Sequence, residues 1–414
     1  MGKHYIERFA DTTLEKALQR AGAVLIEGPK GCGKTKTASQ YAKSQVNLDT
    51  DPQVAQTVEA DPSLLLLGEK PIVLDEWQIH PIMWDVVRRE VDSSGKPGEF
   101  ILTGSTAPGE EAARHSGAGR FARVRMSTMT FAETGHSTAQ VSLNALLDGA
   151  TPRAAPPELT IQQIIERMCR GGWPGYLDYN TEAVLENLKD YLATVAEIDI
   201  RTPDGASRDP VRVRRLLRSL ARGVGTELTV STLATDADIS RDSTRDYLNA
   251  LSRIFIQVEQ PAWSAHLRSK TTLRQAPKRH LADPALSVAA LGATPQSVLQ
   301  DLDYAGQLFE SQVVHDVMAF LGRDGMVSHA RDSLGREVDL VIERTDGRWA
   351  LLEVKLGSRE QTVGKAAESL KAFYQQLDMT RYEYEPELIV VTGGGPSYQR
   401  PDGIKVIAFS ALTR

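Results

Sequence analysis

Short apolar runs alternate with helical stretches at the start of the chain. AVLIE (23–27), PIVLD (71–75) and FILTG (100–104) are separated by segments such as KTKTASQYAKS and PIMWDVVRREVDSS. Near-continuous apolar runs suit strands buried on both faces, and the stretches between them supply crossover helices. The pattern predicts a parallel α/β unit over residues 1–150. The proline cluster in DGATPRAAPPELT, 148–160, is incompatible with helix and marks its end.

From about 161 to 300 the spacing is mostly helical, as in IQQIIERMC, AVLENLKDYLATV and VRVRRLLRSLARG. Residues 151–225 read as a helical linker or lid. Within 226–300, GTELTVSTLATDADISRDSTRDYLNALSRIFIQVEQ reads as a helix, a turn, a second helix capped by Ser240 and a strand, the outline of a winged helix. The second helix is expected to expose Arg241, Ser243, Thr244 and Arg245, and six arginines run from Arg208 to Arg222. Asp242 and Asp246 interrupt that surface, so a DNA-contacting face and a solvated packing face both fit. From 301 to 414 a helix, a hairpin, the helix AAESLKAFYQQLD and the strands PELIVVTGG and GIKVIAFS form a further α/β unit.

The chain has 414 residues, 41% hydrophobic and 25% charged, a length that calls for several cores. No apolar stretch reaches the ~20 residues of a membrane span. The beginning MGKHYIERFADTTLEKAL lacks a secretory apolar core, and Cys32 and Cys169 are too few for a disulfide framework, so a cytoplasmic protein is expected. A net charge of −6 excludes indiscriminate coating of nucleic acid but leaves room for local basic patches.

GPKGCGKT, comprising Gly28, Pro29, Lys30, Gly31, Cys32, Gly33, Lys34 and Thr35, meets the spacing G-x-x-x-x-G-K-[ST] between a strand and a helix. Its glycines let backbone N–H groups curl around phosphates. Lys34 reaches the terminal phosphates and Thr35 holds Mg²⁺, so ATP and Mg²⁺ are the expected cofactors. Asp75 and Glu76 end the strand PIVLD; one acid supports the metal and the next polarises the attacking water. FILTGS ends a third strand in Thr103 and Ser105, polar groups suited to orienting that water.

The stretch GREVDLVIERTDGRWALLEVKLGS carries a second constellation. If TDG at 345–347 is a three-residue turn with Gly347 in a left-handed conformation, Arg344 pairs with Arg348 and Asp339 lies opposite Glu353. Alternation then puts Glu353 and Lys355 on the face that receives Asp339. Acids amid apolar strands are costly unless they bind a cation or pair with a lysine. Glu310, on the stripe with Val314, Val317 and Leu321, is a fourth candidate ligand.

GPKGCGKT, VLDEWQ, ILTGS, GAGRFARVRMSTMTFAE, GGWPGYL and EVDLVIE…LLEVKLGS, in that order, resemble a prokaryotic group of AAA-type P-loop ATPases. Its members carry a C-terminal domain of unknown function with restriction-endonuclease-like character. The resemblance implies that Asp75 and Glu76 are the Walker B pair, that a sensor ends the third strand, and that Arg120 is an arginine finger meeting the nucleotide of a neighbour in a homo-oligomer; a surface arginine pairing an acid fits Arg120 equally well. The order Glu310, Asp339, Glu353-Val354-Lys355 resembles the PD-(D/E)XK nuclease fold, in which acids bind Mg²⁺ and the lysine activates water. The expected fold is a multidomain α/β protein: a parallel-sheet P-loop AAA-type core, a helical and winged-helix middle, and a restriction-endonuclease-like C-terminal domain. The expected function is a Mg²⁺-dependent ATPase coupled to a nuclease-like domain, with catalytic Lys34, Glu76, Asp339, Glu353 and Lys355, acting on or sensing DNA. The alternative is a nucleotide-dependent switch that binds nucleic acid or a protein without cleaving. A small-molecule kinase leaves the acid pair and the C-terminal half unexplained.

Overall fold

The computed structural model describes residues 5–107, 118–201, 203–264, 275–332 and 334–414. Helix α1 (Phe9–Leu18) leads into β1 (Ala23–Glu27), α2 (Lys34–Tyr41), β2 (Ser44–Asn47), α3 (Pro52–Ala60), β3 (Ile72–Asp75), α4 (Ile82–Ser94), β4 (Phe100–Gly104) and β5 (Phe121–Arg125). The strands are parallel in the order β2-β3-β4-β1-β5. Strand alternation divides their side chains between two cores. Ala23, Leu25, Leu74 and Leu102 bury against Trp77, Trp84 and Val87, whereas Val24, Ile26, Val73 and Ile101 bury against Leu14 and Ala38. Each fully buried Leu or Ile contributes on the order of 2 kcal/mol. Parallel strands place all their C-terminal ends on one edge, which gathers Gly28, Asp75 and Gly104.

Helices α5 (Leu143–Leu147), α6 (Ile161–Arg170), α7 (Thr181–Glu197) and α8 (Pro210–Arg222) follow the short strand β6 (Val141–Ser142). Then come β7 (Thr226–Glu227), α9 (Val230–Ala237), α10 (Arg241–Arg253), β8 (Gln257–Gln260), β9 (Lys278–Leu281), α11 (Pro284–Leu291) and α12 (Pro295–Gln300). The antiparallel sheet runs β7-β9-β8. Ser240 caps α10 by accepting a hydrogen bond from the Ser243 N–H at 3.0 Å. Thr244 departs from the expected exposure: it is fully buried, lying one and two helical turns before Leu248 and Leu251 on the same inward face. The arginine stripe is largely neutralised within the chain. Arg208 meets Asp204 and Asp246, Arg212 meets Asp209, Arg214 meets Glu197, Arg215 meets Asp238 and Arg222 meets Asp236.

The C-terminal unit comprises α13 (Leu302–Leu321), β10 (Gly325–Arg331), β11 (Glu337–Arg344), β12 (Trp349–Lys355), α14 (Glu360–Tyr374), β13 (Glu387–Thr392), β14 (Tyr398–Gln399), β15 (Lys405–Ala408) and β16 (Leu412–Thr413). Its sheet runs β10-β11-β12-β13-β15-β14, antiparallel through the hairpin and parallel from β12 through β13 to β15. Leu340, Ile342, Leu352 and Ile389 pack in the core that holds α13, and Val341, Leu351, Val390 and Val406 pack with α14.

Phe131, Val141, Leu143 and Leu147 belong to this same C-terminal and middle core rather than to the parallel sheet. The packing therefore changes near residue 126, upstream of the proline segment, because burial of apolar residues and not local backbone stiffness decides which core a segment joins. The chain is also tied back on itself: β16 pairs with β6, and Ala154 and Ser397 exchange hydrogen bonds of 3.0 and 2.9 Å. Among the described residues no helix is long and apolar enough to cross a membrane.

Candidate functional site

The phosphate loop leaves β1 at Glu27 and enters α2 at Lys34. Gly33 caps α2 with φ 107°, in the left-handed region where a side chain is strained. Gly28 is needed for a different reason: a Cβ there would lie 2.2 Å from the Met126 carbonyl oxygen. Lys34 is buried, and its ammonium donates to the carbonyls of Gly28 at 2.9 Å and Pro29 at 3.0 Å, placing its charge inside the loop. Arg8 braces the loop by donating to the Cys32 carbonyl at 2.8 Å, and its guanidinium pairs with Glu133.

The ends of β3 and β4 complete the site. Thr35 Oγ1 donates to Asp75 Oδ1 at 2.8 Å, and Thr103 Oγ1 donates to the same oxygen. Glu76 adopts φ 54° and ψ 48°, a left-handed conformation costing a non-glycine residue roughly 1–2 kcal/mol. That turn brings its carboxylate to Ser105, which donates to Oε2 at 3.3 Å, and to Gln78, whose amide donates to the same oxygen. A hydroxyl and a carboxylate held together are oxygen donors that fit Mg²⁺, so Thr35 and Asp75 would hold the ion.

The C-terminal constellation also assembles. Gly347 has φ 87°, Arg344 donates its N–H to the Arg348 carbonyl at 2.8 Å, and the register Leu340↔Leu352 puts Asp339 opposite Glu353 at the next step. There Asp339 accepts the Val354 N–H at 2.8 Å. Lys355 lies 2.8 Å from Glu353 and 3.8 Å from Asp339. Glu310 reaches the patch from α13, but an unanticipated residue meets it: Lys278 of β9, 2.5 Å from Glu310 and 3.6 Å from Asp339. Burial, followed by the charge of Asp339, pushes Glu310 up to about 8 and Glu353 up to about 7. Lys278 is held above the ordinary lysine value because, although burial opposes its charge, Glu310 and Asp339 outweigh that cost. The expected metal ligands Glu310, Asp339 and Glu353 do converge, but Lys278 stands beside Glu310 and Asp339 and Lys355 beside Glu353, and among the described residues no three acids, histidines or cysteines are grouped so as to hold a metal.

Residues 20–135 match the model of the AAA domain. The N-terminal unit is an AAA-type P-loop domain. Residues 161–297 and 305–412 each match a domain of unknown function (DUF8612 and DUF4143, respectively). Uncharacterized proteins of Mycobacterium bovis and Mycobacterium tuberculosis are each 28% identical over 353 residues, covering 84% of this chain and 73% of theirs. The Walker-type ATPase of Pyrococcus abyssi aligns at 12% identity with a TM-score of 0.44, over 69% of this chain and 96% of its own.

Not every expected nucleotide contact lies at the phosphate edge of the AAA domain. Arg120 precedes β5, so it stands at the N-terminal edge of the parallel sheet, where its carbonyl accepts the Ala23 N–H. Five strand residues, on the order of 16 Å, separate that edge from the loop, and the guanidinium pairs with Asp92 at 2.5 Å. Lys30 also turns aside to Asp199 at 2.6 Å. The Lys30 carbonyl accepts from Trp173 Nε1 at 3.2 Å and Tyr191 Oη at 3.4 Å. GGWPGYL therefore clasps the phosphate loop as well as forming a packed turn. Sequence reasoning missed Trp173, Asp199 and Lys278 because their partners lie on other segments, whereas Gln78, two residues after its partner Glu76, carried a local signal.

Proposed function

We propose that the protein is a Mg²⁺-dependent ATP hydrolase that acts as a nucleotide-dependent switch, passing its nucleotide state to a middle and C-terminal half that engages nucleic acid, DNA in preference. One observation carries the reading. Thr35, Asp75 and Thr103, and next to them Glu76, Gln78 and Ser105, form hydrogen-bonded groups at adjacent strand ends beside Lys34. When bound, Mg²⁺ supplies neutralising charge at the phosphates. Lys34 binds the terminal phosphates, Thr35 and Asp75 hold the ion, and Glu76 takes up a proton from water oriented by Ser105 and Gln78.

Two links support coupling: the Ala107 N–H beyond β4 donates to the Arg253 carbonyl of α10 at 2.8 Å, and Lys30 meets Asp199. We read α8 through β9 as a winged helix, whose exposed Arg241 and Arg245 face solvent at the start of α10, and α13 through β15 as PD-(D/E)XK-like. Cleavage is left out of the proposal because Lys278 stands among the acids. A protein partner is the second reading, favoured by the internally paired arginines of α8. An oligomer that presents Arg120 to a neighbour's nucleotide is proposed only as far as Arg120→Ala lowers turnover.

The test is ATP turnover with single-stranded DNA, duplex DNA or RNA, in the wild type and in Lys34→Ala. Turnover raised by DNA and abolished in the variant is expected. Stimulation by no polymer transfers the proposal to a protein partner, and no turnover under any condition overturns it.

A further inference from the structure

The same three acids that resemble a nuclease metal site are already served by a cation. Lys278 is 6% exposed, and its Nζ stands between Glu310 Oε1 at 2.5 Å and Asp339 Oδ1 at 3.6 Å. It comes from a strand of the β7-β9-β8 sheet, not from the C-terminal sheet that carries Asp339 and Glu353. The two sheets are joined at this point. Gln260, hydrogen-bonded along the ladder to Lys278, donates its side-chain amide to the carbonyls of Asp339 at 2.8 Å and Ser328 at 3.0 Å. Three carboxyl groups then face two ammonium groups, so one of the three acids has no lysine of its own. A second observation points to the same deficit: Glu353 is 8% exposed, and its Oε2 is buried without a hydrogen-bond partner.

We propose that Lys278 is a tethered resident cation that holds the C-terminal acid patch closed to divalent metal, so that a hard, oxygen-preferring ion enters only when the lysine charge is removed. An ammonium and a divalent ion cannot occupy the same few ångströms between Glu310 and Asp339, where their like charges repel. Removing the lysine charge and adding a divalent ion would instead leave three carboxylates balanced by Lys355 and the ion. The inference concerns ion binding alone and stands apart from ATP turnover.

The test is Mn²⁺ uptake by nucleotide-free full-length protein, read from the electron paramagnetic resonance signal of the free ion. Wild type is expected to bind no ion that Glu353→Gln removes. Lys278→Met is expected to bind one more ion than wild type, and Lys278→Met combined with Glu353→Gln is expected to lose it. Glu353-sensitive uptake by the wild type overturns the proposal, as does a folded Lys278→Met that gains no ion. If Lys278→Met does not fold, Lys278→Gln, which keeps a polar head for Glu310, takes its place. If neither folds, the wild-type titration against Glu353→Gln decides by itself.

Discussion

Both charged sites sit at the ends of buried strands, yet their carboxylates are served differently. At the phosphate edge, Asp75 accepts from the hydroxyls of Thr35 and Thr103, and Glu76 from Ser105 and Gln78; these neutral donors orient the acids and leave their charge for a metal or a proton. At the C-terminal patch, Glu310 and Glu353 meet the ammonium groups of Lys278 and Lys355. A carboxylate oriented by hydroxyls is poised to act, whereas one matched by a buried ammonium is already neutralised. The comparison teaches that acid spacing alone does not specify a metal site; the countercharge supplied by the rest of the fold does.

The largest effect should come from stripping the C-terminal patch of that countercharge. Lys278→Met leaves Glu310 and Asp339 buried without their ammonium, and loss of one partner of a buried pair costs about 3–5 kcal/mol. Denaturant unfolding in metal-free buffer should show this loss, and adding Glu310→Gln should recover much of it, because the neutral amide no longer needs a countercharge. A stable Lys278→Met without that compensation would show that the two sites are alike after all.

Next in size is Lys34→Ala, which removes the charge that the loop holds for phosphate. ATP turnover should fall on the order of 10²–10³-fold, the scale for losing one preorganised electrostatic contact, while thermal unfolding changes little by comparison. Glu76→Gln should lose turnover and retain nucleotide binding, since the amide keeps the shape but cannot take a proton. Equal loss of binding in both variants would remove the distinction between holding phosphate and activating water.

A smaller effect tests the join beside the acid patch through pH. His280 is buried between Ser311 at 3.0 Å and Gln260 at 3.2 Å, and burial, then the charge of Lys278, pulls its value down to about 3. An unfolded chain protonates this group near 6.5, so between those values the unfolded state binds more protons and stability falls as pH drops. Each such proton contributes a slope of up to about 1.4 kcal/mol per pH unit. Between pH 6.5 and 5, His280→Gln should lose stability less steeply than the wild type, and identical slopes would show that His280 is not kept neutral by the fold.

How much was legible follows from how local each device is. The phosphate loop occupies eight consecutive residues, and AVLIE, PIVLD and FILTG each became a strand, because backbone approach and two-sided burial leave direct traces in residue type. The hairpin register was equally legible, since one left-handed Gly347 sets the pairing of Asp339 with Glu353. Lys278 was not, because nothing in KRHL says which carboxylates a strand will meet after the chain has folded back over two sheets. Arg120 lies just before β5, where the order of motifs put it, but its partner Asp92 was not legible, because that acid belongs to a different segment.

The smallest expected effect lies where the two halves touch. Trp173 is buried, and its indole N–H donates to the Lys30 carbonyl, so the middle region holds the phosphate loop by a neutral bond while Lys30 is drawn to Asp199. Trp173→Phe keeps most of the ring packing and deletes the donor, which should cost about 1 kcal/mol. If the clasp serves only stability, that loss appears in unfolding and KM for ATP stays put. If it also sets the loop's shape for phosphate, KM should rise about 5-fold with kcat unchanged, the equivalent of the same energy spent on ground-state and transition-state binding alike. Asp199→Asn, which weakens the ionic half of the clasp, should then move KM in the same direction. A change in kcat instead would mean that the clasp positions Glu76 or its water, and would place the coupling between the two halves in the chemical step rather than in nucleotide binding.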